Sequence, residues 1–124
     1  AGWEVLPKAD ANQGALVERW GNHPVSGLYF TVMNPAAESR RVTLSLQAKD
    51  YPKATFTGAE ELVDQAPLEF KTDSAKTQIT FTIPAGRTYL IQLSGNEKKF
   101  CKIRIIIFCI YKWLKFDSMH PERI

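Results

Sequence analysis

Leu28-Tyr29-Phe30-Thr31-Val32-Met33-Asn34 alternates without a break. Leu28, Phe30 and Val32 fall on one side of an extended chain, and Tyr29, Thr31 and Met33 on the other. A period of two with β-branched and aromatic side chains is the mark of a half-buried strand. The next apolar run repeats it, with Val42, Leu44, Leu46 and Ala48 on one face and Thr43, Ser45 and Gln47 opposite. Ile79, Phe81 and Ile83 alternate against Gln78, Thr80 and Thr82, and Tyr89, Ile91 and Leu93 form a further inward row. Weaker strands are expected at Leu16–Trp20, Ala54–Thr57 and Leu68–Lys71, and a short strand or a turn of helix at Glu61–Val63.

The segments between these runs are turn formers. Gly21-Asn22-His23-Pro24, Asn34-Pro35-Ala36-Ala37-Glu38-Ser39 and Pro84-Ala85-Gly86 each separate two strands. Proline presets φ and glycine frees it where a chain must reverse. No window before residue 95 carries a long apolar period of 3.6 residues. Short strands at this spacing predict an all-β fold, an antiparallel sandwich of about seven to eight strands.

The chain of 124 residues is one domain in size, 44% apolar and 23% charged. Its net charge of +3 is unevenly placed. Residues 1–94 carry nine Lys/Arg against ten Asp/Glu, and residues 95–124 carry seven against three. The body therefore lacks a basic face, which argues against nucleic acid as a partner. Residues 95–124 also contain no Ala and no Val, whereas the body has twelve and six. Three readings fit this tail: an extra strand or terminal helix on the sandwich, a basic amphipathic segment at a membrane surface, or non-native sequence. The abrupt shift after a complete strand favours the last. Its longest uncharged run, Ile105–Tyr111, is seven residues, far short of the roughly 20 that span a bilayer. No transmembrane segment is expected.

Both cysteines, Cys101 and Cys109, lie in the tail at a spacing that matches no zinc or redox motif. The opening Ala1-Gly2-Trp3 lacks a Met and a signal peptide, the expected look of a processed or excised piece.

Chemistry is sparse. Acid–base hydrolysis needs two carboxylates in one cleft. Glu60 and Glu61 are adjacent, so a strand points them to opposite faces. These two, with Glu18, Asp10, Asp50, Asp64 and Asp73, all read as solvated charges. His23 reads as a plain loop residue and His120 lies in the tail, so no metal cluster or catalytic triad is expected. No cofactor motif occurs. The remaining candidates are Trp3, Trp20 and Tyr29. An exposed aromatic face attracts the axial C–H groups of a sugar much as it attracts a cation. These three are the candidate carbohydrate-binding residues. The bland alternative is that Trp3 anchors the N-terminal segment and Trp20 fills an edge of the core.

Three stretches carry a resemblance. They are Gly2-Trp3-Glu4 with Leu16-Val17-Glu18-Arg19-Trp20-Gly21; Gly27 to Pro35 with Arg41-Val42-Thr43-Leu44-Ser45-Leu46; and Ala59-Glu60-Glu61-Leu62-Val63 with Phe81 to Leu93. Their order resembles the C-terminal β-sandwich domains that follow the (β/α)8 catalytic barrel in many glycoside hydrolases, as in α-amylases, and spans residues 2–94. The resemblance implies a non-catalytic role, packing against a catalytic barrel domain that this chain lacks, and an extracellular or periplasmic setting. It also implies a boundary between a 1–94 sandwich and the 95–124 tail. A carbohydrate-binding module for polysaccharide and an immunoglobulin-like cell-surface domain are the competing functions.

Overall fold

The computed structural model describes residues 2–98. Residues 99–124 of the tail, with Cys101, Cys109 and His120, lie outside them. Ten strands are present: β1 Trp3–Glu4, β2 Asp10–Ala11, β3 Leu16–His23, β4 Gly27–Met33, β5 Arg40–Gln47, β6 Ala54–Glu61, β7 Ala66–Pro67, β8 Glu69–Thr72, β9 Lys76–Ile83 and β10 Thr88–Glu97. They form two antiparallel sheets, of order β1-β3-β4-β10-β6-β7 and β2-β5-β9-β8. The fold is an antiparallel β-sandwich, as the alternation predicts. The count exceeds seven or eight because β1, β2 and β7 are two residues long, too short to carry an alternation.

The core lies between the sheets, where the odd or even set of each strand meets its counterpart. Leu28, Phe30, Val32, Ile91 and Leu93 come from the six-stranded sheet, and Val42, Leu44, Leu46, Ile79, Phe81 and Ile83 from the four-stranded one. Ala48 departs from its expected place on that face. It is exposed and opens a 3-10 turn, Ala48–Asp50. The turn leads to Tyr51, whose ring is buried edge-on against Phe56 at 5.4 Å.

Among the described residues four polar side chains are buried: Thr77, which shares a 2.9 Å hydroxyl contact with Thr72, and three whose partners no local pattern announces. Asn34 is buried in the β4–β5 loop, donating to the carbonyls of Glu38 (2.8 Å) and Ile83 (3.0 Å) and accepting from the Ala36 N–H. Glu61 is only 2% exposed, which corrects its reading as a solvated charge. Its two oxygens accept the backbone N–H groups of Asp64 and Leu90, each at 2.9 Å. Arg19, 3% exposed, donates through Nε and Nη2 to the Leu6 carbonyl (3.0 and 2.7 Å) and through Nη1 to the Gly21 carbonyl (2.7 Å) and Asn22 Oδ1.

Arg19 holds down residues 2–15 as a strap. The strap lends β1 to the six-stranded sheet and β2 to the four-stranded one. Its middle is pinned by the Tyr51 hydroxyl, which donates to the Lys8 carbonyl at 3.0 Å. Burial pushes that hydroxyl's pKa well above the ordinary tyrosine value, against the opposing charge of Arg19 and with a further push from Asp50.

The final strand does not stop at Leu93. It bulges between Ser94 and Gly95 and runs on, pairing Gly95, Asn96 and Glu97 with Phe56, Thr55 and Ala54. The position-94 boundary therefore falls inside β10. Gly95 fits because a Cβ there would sit 2.2 Å from the Thr55 carbonyl oxygen. A chain ending at Lys98 is expected to match the full chain in urea denaturation. One ending at Ser94 should lose about 2–3 kcal/mol, the sum of a few ladder hydrogen bonds. Equal midpoints for the two truncations would show that this extension contributes nothing.

Candidate functional site

The two outward faces of the sandwich differ in chemistry. The outer face of β2-β5-β9-β8 is a lattice of polar side chains: Thr43 opposite Thr80, Ser45 opposite Gln78, and an exposed Arg41–Glu69 ion pair at 3.1 Å. It is an ordinary solvated surface, as alternating strands with one wet side produce.

The outer face of the six-stranded sheet is different. Register places Trp3 opposite Trp20, Trp20 opposite Tyr29, Tyr29 opposite Gln92, and Gln92 opposite Glu60. Directly opposed residues share a face. The three aromatics singled out from the sequence therefore form one row across β1, β3 and β4, continued by an amide and a carboxylate. Strands lie about 4.8 Å apart, so the row runs roughly 19 Å from Trp3 to Glu60. Trp3 is 51% exposed, and Trp20 and Tyr29 are half-buried. The Trp3 indole N–H donates to Glu18 Oε2 at 2.9 Å, tying the strap to β3. Trp20 does not fill the core, because it points away from it while its neighbour Arg19 points in.

Gly27 makes room for the third ring. Its φ of +115° is costly for other residues, and an added Cβ would meet Tyr29 Cε2 at 3.1 Å. Asn22 lies at the upper margin of the row and donates to Glu4 Oε1 at 2.8 Å. Beyond it, the His23 ring makes a 2.8 Å contact with the Lys53 carbonyl and accepts the Val25 N–H. That pair of contacts describes a turn support.

Toward the other end of the same face the side chains are aliphatic. Leu16 lies opposite Met33, Leu90 opposite Thr31, and the Leu62 N–H donates to the Leu90 carbonyl. Val5 and Leu6 follow β1 along the β3 edge. Val5, Leu6, Leu16 and Val63 are 76%, 66%, 58% and 69% exposed. Leu16 is four residues from Trp20 along β3, about 13 Å.

Two buried polar atoms among the described residues lack a partner, Trp20 Nε1 and Thr31 Oγ1. Both side chains belong to this face. An unmade buried hydrogen bond costs about 1–3 kcal/mol, so this face is the least satisfied part of the domain.

The carboxylates on the face do not converge. Glu18 and Glu60 stand three strand spacings apart, with Cα atoms about 15 Å from each other. The carboxyl groups of hydrolytic pairs stand about 5–10 Å apart. Glu60 and Glu61 point to opposite sides, as their adjacency dictates. Among the described residues no group of three or more His, Cys, Asp or Glu could hold a metal ion, and no helix is long and apolar enough to cross a membrane.

A separate cleft of about 350 Å³ opens at one end of the sandwich, over Tyr51 and Phe56, with Thr72, Asp73 and Lys98 on its rim. Asp73 is committed to its turn. Its carboxylate accepts the N–H groups of Lys76 and Ala75, which holds its pKa below the usual carboxylate value.

No family model, no curated protein and no solved structure matches this chain. The site is therefore described by its own residues alone.

Proposed function

We propose that the chain is a non-catalytic accessory sandwich of a glycoside hydrolase, and that the aliphatic end of its six-stranded sheet packs against the catalytic barrel. The observation that carries this reading is the aliphatic stretch of this face, where exposed Leu16 lies opposite Met33 and Leu62 is bonded to Leu90, with exposed Val5, Leu6 and Val63 on the segments that follow β1 and β6. Single exposed aliphatics are unremarked on any surface, but a contiguous group is a docking surface. The resemblance of residues 2–94 to barrel-following sandwiches names the occupant. The strap bears on it too, because β1 forms the sheet edge beside β3, the strand that carries Leu16. A preceding domain would be held close to that edge, since Arg19 and Tyr51 fix the strap on both sheets.

Covering such a patch stabilises by roughly 25 cal/mol for each Å² of apolar surface removed from water. The open reading frame upstream of the Ala1 codon is expected to encode a (β/α)8 barrel with a catalytic carboxylate pair. In the joined protein, Leu16→Asp together with Leu90→Asp should split one calorimetric transition into two. An upstream frame without a barrel, or a joined protein whose melting ignores both substitutions, would overturn the reading.

A further inference from the structure

We propose that the row Trp3, Trp20 and Tyr29, extended by Gln92 and Glu60, is a binding strip for a neutral, extended polysaccharide of the β-1,4-linked type. The strip is distinct from the aliphatic end. Leu16 lies about 13 Å from Trp20 along β3, while Leu90 and Val5 stand two residues from Gln92 and Trp3, so a domain docked on that end borders the row. The inference does not depend on the packing reading.

Four features of the row select this ligand class. The aromatics are consecutive across adjacent strands, with backbones stepping about 4.8 Å at a time, so their side chains follow one another in a single line across the sheet. An open sheet face suits a chain lying along the row. Aromatic side chains present an apolar face at small conformational cost, which the C–H face of a sugar ring can cover. The polar groups that continue or flank the row are Gln92, Glu60, Glu18 and Asn22, which accept and donate hydrogen bonds to hydroxyl groups.

Charge narrows the class further. The strand positions that face outward on this sheet include Glu18 and Glu60 and no Lys or Arg. Uronic-acid and sulfated glycans would meet only carboxylates there, and like charges exclude them. A compact helical α-glucan would touch one or two rings of a straight row. A chain with a flat two-fold repeat can engage all three.

Trp3 is the residue to test. It is the most exposed of the three, sits on a two-residue edge strand, and is held through one side-chain hydrogen bond to Glu18. Its removal leaves the core untouched. The full 124-residue chain would be run by affinity electrophoresis in gels containing soluble cellulose, xylan or galactomannan derivatives. Tryptophan emission would be titrated in parallel with cellohexaose, xylohexaose and mannohexaose. Retardation by at least one neutral β-1,4 glycan is expected, with affinity falling about tenfold in Trp3→Ala, the effect of deleting one stacking ring. Tyr29→Ala should give a loss of similar size, and Trp3→Ala should still melt in one cooperative transition. Polygalacturonate and maltohexaose should bind weakly or not at all. Absence of binding to all three neutral glycans would overturn the proposal. So would binding that survives both substitutions, or equal binding of polygalacturonate.

Discussion

Phe30→Ala is expected to cost the domain about 3–5 kcal/mol, the usual range for deleting a buried phenyl ring. Phe30 has no solvent exposure and sits mid-strand in β4, with Arg19 opposite on β3 and Ile91 opposite on β10. Its ring therefore fills the layer between the sheets, beside a fully buried Ile91 and an Arg19 fixed by its own hydrogen bonds. Such a site collapses poorly around a cavity, which places the loss toward the upper part of the range. Domains of this size are stable by about 5–15 kcal/mol in total, so the variant should be partly unfolded at moderate temperature. Urea denaturation would read the change as a lower midpoint at unchanged slope. A loss near zero would mean that the inward and outward sets of β4 are reversed. The aromatic row described above would then be the core.

Arg19→Met is the second large effect, and its sign needs two opposing terms. Burying a guanidinium without a carboxylate partner is costly, and methionine relieves that cost while keeping much of the apolar stem. Against this, the substitution strips donors from the Leu6 and Gly21 carbonyls and from Asn22 Oδ1. Hydrogen bonds to a charged donor are worth about 1.5–3 kcal/mol each. The Leu6 carbonyl receives two of them, and it belongs to the strap, which has little else at that point. The lost bonds outweigh the relieved desolvation, and a net loss of about 2–3 kcal/mol is expected. The strap should loosen before the sandwich does. The Gly21 amide, bonded to the Gly2 carbonyl at 3.0 Å, should exchange with solvent much faster while amides of β5 and β9 remain protected. Unchanged protection at Gly21 would assign the strap's attachment to the β1 pairing alone.

The central strands were legible because their inward and outward sets alternate without interruption. Leu28, Phe30 and Val32 could be assigned to a face from their spacing, and so could Ile79, Phe81 and Ile83. Arg19, Asn34 and Glu61 could not. Each is a polar residue at an inward position, satisfied by backbone groups that arrive from elsewhere in the chain. Leu6 reaches Arg19, Ile83 reaches Asn34, and Leu90 reaches Glu61. No local pattern announces such a partner, so Glu61 reads from the sequence as one more solvated charge. The end of β10 escaped for a related reason. Ser94-Gly95-Asn96-Glu97 has no apolar period, and the bulge breaks the register that an alternation would have to keep.

The candidate site was half visible. Trp3, Trp20 and Tyr29 could be named from their chemistry alone. That Trp20 and Tyr29 oppose each other follows from the β3–β4 hairpin register, once the reversal is placed at Pro24–Ser26 rather than at Gly21. The place of Trp3 in the row depends on β1, which is too short to read. The contrast between the two outer faces, one a threonine lattice and the other aromatic and aliphatic, needs the sheet order.

That sheet order also governs how the chain can fold as it is made. β10 pairs with β4 on one side and β6 on the other, so the last described strand is the keystone of the larger sheet. A growing polypeptide can close the β3–β4 hairpin early, but β4 and β6 must wait with bare edges until residue 97 has left the ribosome. The late arrival makes completion of the core a single closing event dominated by distant contacts, which is slow and exposes pairing edges in the meantime. A pause in translation before Thr88 would prolong that exposure. The nascent domain should then depend most on chaperones that shield unpaired strands.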